Sequence, residues 1–190
     1  FAIRGVDGET YYTRSGNFTW AIDAYGNTML TDVEGCPVLD SEGNAIYVPR
    51  AVNDAYGNTI LADGDGTPIL DGEGNAIYVQ GGVSAESMVF QQDGRIGFKT
   101  PEGKYVDLNQ TFGIYQFNNP AGLNKLSYSR LEETDASGPA ILEGTNGTVN
   151  SKVLQYYLEG SNVQVADEMV NMIVAQRAYE MNSKAITTAD

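Results

Sequence analysis

Asp23-Ala24-Tyr25-Gly26-Asn27-Thr28 returns as Asp54-Ala55-Tyr56-Gly57-Asn58-Thr59, and each copy runs on through Gly-x-Pro and Leu-Asp to Glu-Gly-Asn-Ala-Ile-Tyr-Val, ending at Val48 and Val79. Aligned at this shift of 31 residues, 19 of the 27 positions from 23 to 49 match those from 54 to 80, so the segment is a duplication. The first copy reads as a turn, a strand near Thr28–Thr31, a Gly-x-Pro bend and a second turn, Glu42-Gly43-Asn44, that leads into the strand Ala45–Val48. Glycine followed by asparagine suits positions where φ must be positive, which gives these turns a mechanism. Two copies are fewer than the three or so a stacked-repeat array needs, so the pattern predicts a paired hairpin module.

The flanks extend this β pattern. Residues 1 to 22 alternate polar and apolar around Tyr11-Tyr12-Thr13-Arg14-Ser15-Gly16-Asn17-Phe18-Thr19-Trp20, which predicts two or three short strands. Further strands are expected at Ser87–Gln91, Arg95–Lys99, Tyr105–Leu108, Phe112–Phe117 and Leu126–Leu131, with turns at Asp93-Gly94, Glu102-Gly103 and Asn119-Pro120. From Glu132 to Asn150 the chain is rich in Gly, Ser, Thr, Asn and acid, the composition of a long loop or linker. The predicted fold class is mainly β (α+β): a β-rich head over 1–131, a linker and return segment over 132–160, and a long C-terminal α-helix over 161–190.

The period changes at Ser161. Ser161-Asn162-Val163-Gln164 matches a capping box, and Asp167 and Glu168 suit the positive end of a helix dipole. Val165, Met169, Met172, Gln176, Tyr179, Ser183 and Ile186 recur at spacings of four and three, a stripe along one helix face that Val170 and Ile173 widen. A helix of about 25 residues is near 38 Å long, more than one small β-domain covers, so its stripe calls for a partner. The plain alternative is a helix packed on its own sheet. Gln176 and Ser183 within the seam favour a specified helix–helix contact, because polar seam positions fix register.

Composition removes several classes of function. Twenty-five acids against 11 basic residues give a net charge of -14, which disfavours nucleic acid and anionic lipid as partners. There is no histidine, so Ser-His-Asp and Cys-His catalysis and the commonest zinc sites are excluded. Cys36 is the single cysteine and cannot form an intramolecular disulfide. No run approaches the roughly 20 apolar residues that span a bilayer, so membrane insertion is not expected. The start, Phe1-Ala2-Ile3-Arg4, has no leader-like apolar core and reads as the middle of a strand, so a longer natural N-terminus is expected.

The run Leu158-Glu159-Gly160-Ser161-Asn162-Val163, then Glu168-Met169-Val170-Asn171-Met172-Ile173, then Gln176-Arg177-Ala178-Tyr179-Glu180-Met181-Asn182-Ser183-Lys184, resembles the C-terminal signature of flagellar rod and hook proteins, nearest the distal-rod branch. Tyr12-Thr13-Arg14-Ser15-Gly16-Asn17-Phe18, Gly35-Cys36-Pro37-Val38-Leu39 and Asn119-Pro120-Ala121-Gly122-Leu123 follow the family's order. The resemblance implies a structural protein with no enzymatic activity, no cofactor and no metal. It implies export through the flagellar export apparatus without a cleaved signal peptide. Helical stacking with other copies of itself, beside neighbouring rod and hook proteins, would then transmit torque from motor to hook. On that reading Val165, Met169, Val170, Met172, Ile173, Gln176 and Tyr179 make subunit contacts, and Arg177 and Glu180 supply ion pairs between subunits.

Two features depart from the family pattern. The second copy, 54–80, has no counterpart in it and reads as an insertion that enlarges the head, and the N-terminal helix that would pair with 161–190 does not occur in this sequence. Three other readings stand beside the distal rod. One is a hook or proximal-rod protein of the same fold. A second is calcium binding at the Asp-x-x-Gly-Asn turns of Asp23, Asp40, Asp54 and Asp71, whose spacing does not fit a twelve-residue calcium loop. The third is a carboxylate-based glycan hydrolase, for which nothing selects a pair from the 25 acids.

Overall fold

A computed structural model describes residues 1–79, 82–144, 151–157 and 159–187. Residues 145–150 of the expected linker, Leu158 of the terminal motif, Gln80 at the end of the second copy and 188–190 of the expected helix lie outside these. The chain divides into two compact units, Phe1–Gln155 and Tyr156–Asp190.

The first unit is made of short antiparallel strands: β1 (Ala2–Arg4), β2 (Thr10–Thr13), β3 (Thr19–Ile22), β4 (Thr28–Thr31), β5 (Arg50–Asn53), β6 (Thr59–Ala62), β7 (Met88–Phe90), β8 (Arg95–Lys99), β9 (Tyr105–Thr111), β10 (Tyr115–Gln116), β11 (Asn124–Lys125), β12 (Arg130–Glu132) and β13 (Ile141–Leu142). They pair as one sheet of order β1-β2-β12-β11, one of order β7-β8-β9, and the ribbons β3-β4, β5-β6 and β10-β13. Each strand is short because the sequence turns every eight or so residues, and one turn geometry recurs. In nine five-residue segments among the described residues, starting at Gly5, Asp23, Asp32, Asp40, Asp54, Asp63, Asp71, Gln91 and Thr100, the first N–H donates to the fifth carbonyl. The fourth residue is glycine, and its N–H donates to the first carbonyl. Every one of these glycines has φ between 83° and 86°, the left-handed region that closes a three-residue hairpin loop.

Where the first residue is aspartate, its side chain completes the turn. Oδ1 of Asp54 accepts the N–H groups of Tyr56 and Asn58, both at 2.8 Å, and Asp23, Asp32, Asp40, Asp63 and Asp71 repeat the pattern. Each copy of the duplication therefore carries three such turns. The stretch read from sequence as a Gly-x-Pro bend is the middle one, Asp32–Cys36 or Asp63–Thr67.

The second and third turns of each copy each close a hairpin, and together they bring three strand segments into a closed ring. Leu30 N–H donates to Ile46 O at 2.8 Å, Ile46 N–H to Val38 O at 3.0 Å and Val38 N–H to Leu30 O at 2.9 Å, and the three side chains point into the core. Leu61, Ile77 and Ile69 close the same ring in the second copy, at 2.9, 3.2 and 2.9 Å. One hydrophobic core then joins both rings to Ile3, Met88, Ile96, Phe98, Leu108 and Phe112. Phe1, Phe18 and Phe90 pack around Phe112 and Trp20 stacks on Phe90, with ring centroids 5.0 to 6.5 Å apart.

The two rings are not equally buried. The outer edge of the first is sealed by the head: Leu39 N–H donates to Ala2 O, Arg4 N–H to Pro37 O and Gly113 N–H to Leu39 O. Leu39 is 1% exposed, whereas its counterpart Leu70 is 47% exposed. Beyond Glu132, in the stretch expected as a long loop or linker and return segment, the described residues make specific contacts. Thr134 and Ser137 exchange hydrogen bonds in a tight turn, β13 pairs with β10, and Glu143 accepts from Gln116 and Ser151. Side-chain acceptors give this polar stretch enough partners to stay docked in the head.

The same letter in the two copies should thus have different weight. Leu39→Ala is expected to cost about 2 to 4 kcal/mol of unfolding free energy, and Leu70→Ala less than about 1 kcal/mol, read from the midpoints of urea denaturation curves.

Candidate assembly surface

The second unit contains α1 (Val165–Thr187), about 34 Å long at 1.5 Å per residue. It begins three residues later than the capping box predicts. Ser161 Oγ accepts Val163 N–H at 3.2 Å, which spends the hydroxyl on a local turn, and the first turn is closed by Glu168 N–H donating to Gln164 O at 3.1 Å. Asp167 and Glu168 sit in the first turn and Lys184 in the last, complementing the helix dipole at both ends.

All nine residues expected to make subunit contacts, Val165, Met169, Val170, Met172, Ile173, Gln176, Arg177, Tyr179 and Glu180, lie on α1 and are exposed. Among the described residues its unit holds no second helix or strand. At about 100° per residue, Val165, Met169, Met172, Gln176 and Tyr179 fall within an arc of about 80°, with Ile173 about 40° beyond it. Val170 does not widen that seam. It falls with Val174 and Met181 on a second apolar stripe on the opposite face, a stripe that a search for one face passed over. Arg177, Glu180 and Lys184 separate the two stripes along one flank. Three methionines among the stripe residues give both faces side chains that adapt to irregular partners. Among the described residues no helix is long and apolar enough to cross a membrane.

The head offers acids of a different character. Asp32, Glu34 and Cys36 place ligand-type atoms within 4.8 Å of one another, but a cation of the chain's own already occupies the cluster. The Arg130 guanidinium pairs with the Glu34 carboxylate, stands 3.9 Å from Cys36 Sγ and lies over the Tyr11 ring at 5.9 Å. Burial, reinforced by the Asp32 charge, pushes the Cys36 thiol above its ordinary value, so it stays protonated. The turn aspartates read as a calcium option from sequence aim Oδ1 at two backbone N–H groups each, which is capping chemistry rather than an open oxygen cage.

Residues 154–190 match the family model described as flagellar basal body rod FlgEFG protein C-terminal. Over its whole length the chain is 35% identical to the flagellar basal-body rod protein FlgG of Bacillus subtilis and to that of Agrobacterium fabrum, covering 58% and 57% of them. Over 101 residues, 53% of this chain and 14% of the relative, it is 34% identical to the flagellar hook protein FlgE of Helicobacter pylori. A head of short strands followed by an exposed terminal helix that carries this signature defines the class, a β-rich protein with an exposed C-terminal helix, and the chain belongs to the flagellar rod and hook family. Within that family its full-length similarity is to FlgG rod proteins, of which it spans somewhat over half the length.

The turn carboxylates give the head an acid-sensitive part. The Asn58 side-chain amide, followed by backbone N–H groups, holds Asp54 below its ordinary 3.8, and the Asn75 N–H does most to lower Asp71. A lowered folded value means stabilisation that is complete above 3.8 and lost as pH falls through the folded value. Asp54→Asn should therefore melt below the parent protein at neutral pH, with the gap closing below pH 3.8, measured as Tm against pH. Millimolar calcium should leave the Tm of the parent protein unchanged.

Proposed function

We propose that the protein is a structural subunit of the distal rod of the bacterial flagellar basal body, one that polymerises through α1 and carries torque rather than chemistry. The observation that carries this reading is the exposure of two apolar stripes on α1, inside the segment that matches the rod C-terminal family model. An exposed helix with apolar side chains on opposite faces buries both only when a neighbour lies on each side. Heterologous contacts repeated by a screw operation build a filament instead of a closed ring. Val165, Met169, Met172, Ile173, Gln176 and Tyr179 would form one contact, Val170 the other, and Arg177 and Glu180 would set register between subunits. The partners are other copies of the protein, adjoining rod and hook proteins and the flagellar export apparatus, with export independent of a cleaved signal peptide and no cofactor. A place in the hook is the second reading, favoured by the match to the Helicobacter pylori hook protein.

The test is size-exclusion chromatography with light scattering on this chain, alone and with a synthetic peptide of the N-terminal helix of a FlgG relative. A monomer that grows into larger assemblies with the peptide is expected. The double substitution Met169→Asp with Met172→Asp should abolish that growth while leaving the Tm of the head unchanged. A monomer that ignores the peptide would overturn the reading in favour of a self-contained module.

A further inference from the structure

The duplication supplies an internal control. The same module occurs twice in one molecule, once with its outer edge covered and once with it bare. In the first copy the edge Pro37–Leu39 is covered by β1. Ile3 pairs with Val38 and is fully buried, Leu39 N–H donates to Ala2 O at 2.9 Å and Pro37 O accepts Arg4 N–H at 2.9 Å. The Arg4 guanidinium then reaches over the following turn to the Gly43 carbonyl at 2.6 Å.

In the second copy the corresponding edge is Pro68–Leu70. Among the described residues no hydrogen bond reaches the Leu70 N–H, the Leu70 carbonyl or the Pro68 carbonyl, and the Leu70 side chain is 47% exposed. A cleft of about 230 Å³ is lined by this edge together with Leu108, Asn109 and Gln110. Asp40, Glu42 and Asp63 line it, and no lysine or arginine does. The turn that follows, Asp71–Asn75, presents the Gly74 carbonyl where the first copy presents that of Gly43.

We propose that the edge Pro68–Leu70 is a docking site for an extended strand of another polypeptide, carrying an aliphatic residue followed by a basic one, the pattern with which Ala2-Ile3-Arg4 covers the first copy. Free backbone groups on a strand edge recruit an extended peptide by adding it to the sheet, while side-chain pockets choose which peptide. By the register of the first copy, the aliphatic residue lies opposite Ile69, the counterpart of Val38, the residue before it packs on Leu70, and the basic residue meets the carboxylates and the Gly74 carbonyl. The strand comes from outside because the chain's own β1 is committed to the first copy, with Ile3 fully buried there. This site is separate from α1 and stands whether or not α1 drives polymerisation.

The probe is the blocked hexapeptide of residues Phe1–Val6, titrated into the isotope-labelled protein and followed by amide shifts and hydrogen exchange. Saturable perturbation of the Leu70 and Asp71 amides is expected, with slowed exchange at Leu70. Leu70→Asp should weaken binding at least about tenfold, Leu70→Ile should retain it, and a hexapeptide with Ile3→Asp should bind at least about tenfold more weakly than the parent peptide. Absence of perturbation at saturating peptide would overturn the proposal. So would perturbation centred on Val38 and Leu39, which reports exchange with β1, or equal affinity for Leu70→Asp.

Discussion

Everything in the head hangs on a five-residue turn closed by two backbone hydrogen bonds and ended by a glycine at φ near 85°. Hairpins of three to five residues per strand contribute little apolar burial each, so their turns must be settled locally or the strands never meet. Aspartate at the first position accepts two N–H groups that water would otherwise have to satisfy, and it does so before any tertiary contact exists. Because the loop geometry is the same each time, strand direction and register repeat, and segments eight or nine residues apart fall into adjacent positions. The three-strand rings follow from that repetition. Two equal turns bring Leu30, Val38 and Ile46 face to face, and one hydrogen bond between each pair closes the ring around their buried side chains.

The duplicated rings show how far local chemistry carries and where context takes over. Both copies close the same way because they hold the same turn residues and the same inward aliphatic residues. Their outer edges differ because β1 and the Phe112–Gly113 segment exist once per chain and can cover only one ring. A residue at identical positions of the two copies, Leu39 or Leu70, is thereby a core residue in one and a surface residue in the other. A single repeated design thus gives one ring whose outer edge is sealed and another whose edge at Pro68–Leu70 has no hydrogen-bond partner among the described residues.

The helix follows a different logic. Its apolar residues are not gathered on one face, so it gains little from packing on a single flat surface and most from being held between neighbours. Arg177, Glu180 and Lys184 lie on one flank between the stripes, and Asp167 and Glu168 are limited to the first turn, so most of each stripe stays compatible with close helix–helix contact. That division of labour, a stiff β head and a helix with two faces to cover, fits the flagellar rod and hook family to which the chain belongs.

Several features were set by the sequence alone. The Asp-x-x-Gly-Asn turns, the duplication, the β character of the head and the presence of a long terminal helix are all local, since turn chemistry, strand alternation and helical period act between residues a few positions apart. The family signature on the helix was legible for the same reason. The helix start was less so, because Ser161 had two local acceptor roles and the chain took the turn rather than the cap. What only the tertiary structure decided are the long-range pairings: the closure of each ring, the choice of which copy is sealed, and the Arg130–Glu34 pair across 96 residues. Those depend on which surface reaches a partner first and fills its remaining hydrogen bonds, a competition among segments far apart in the chain that no local pattern encodes.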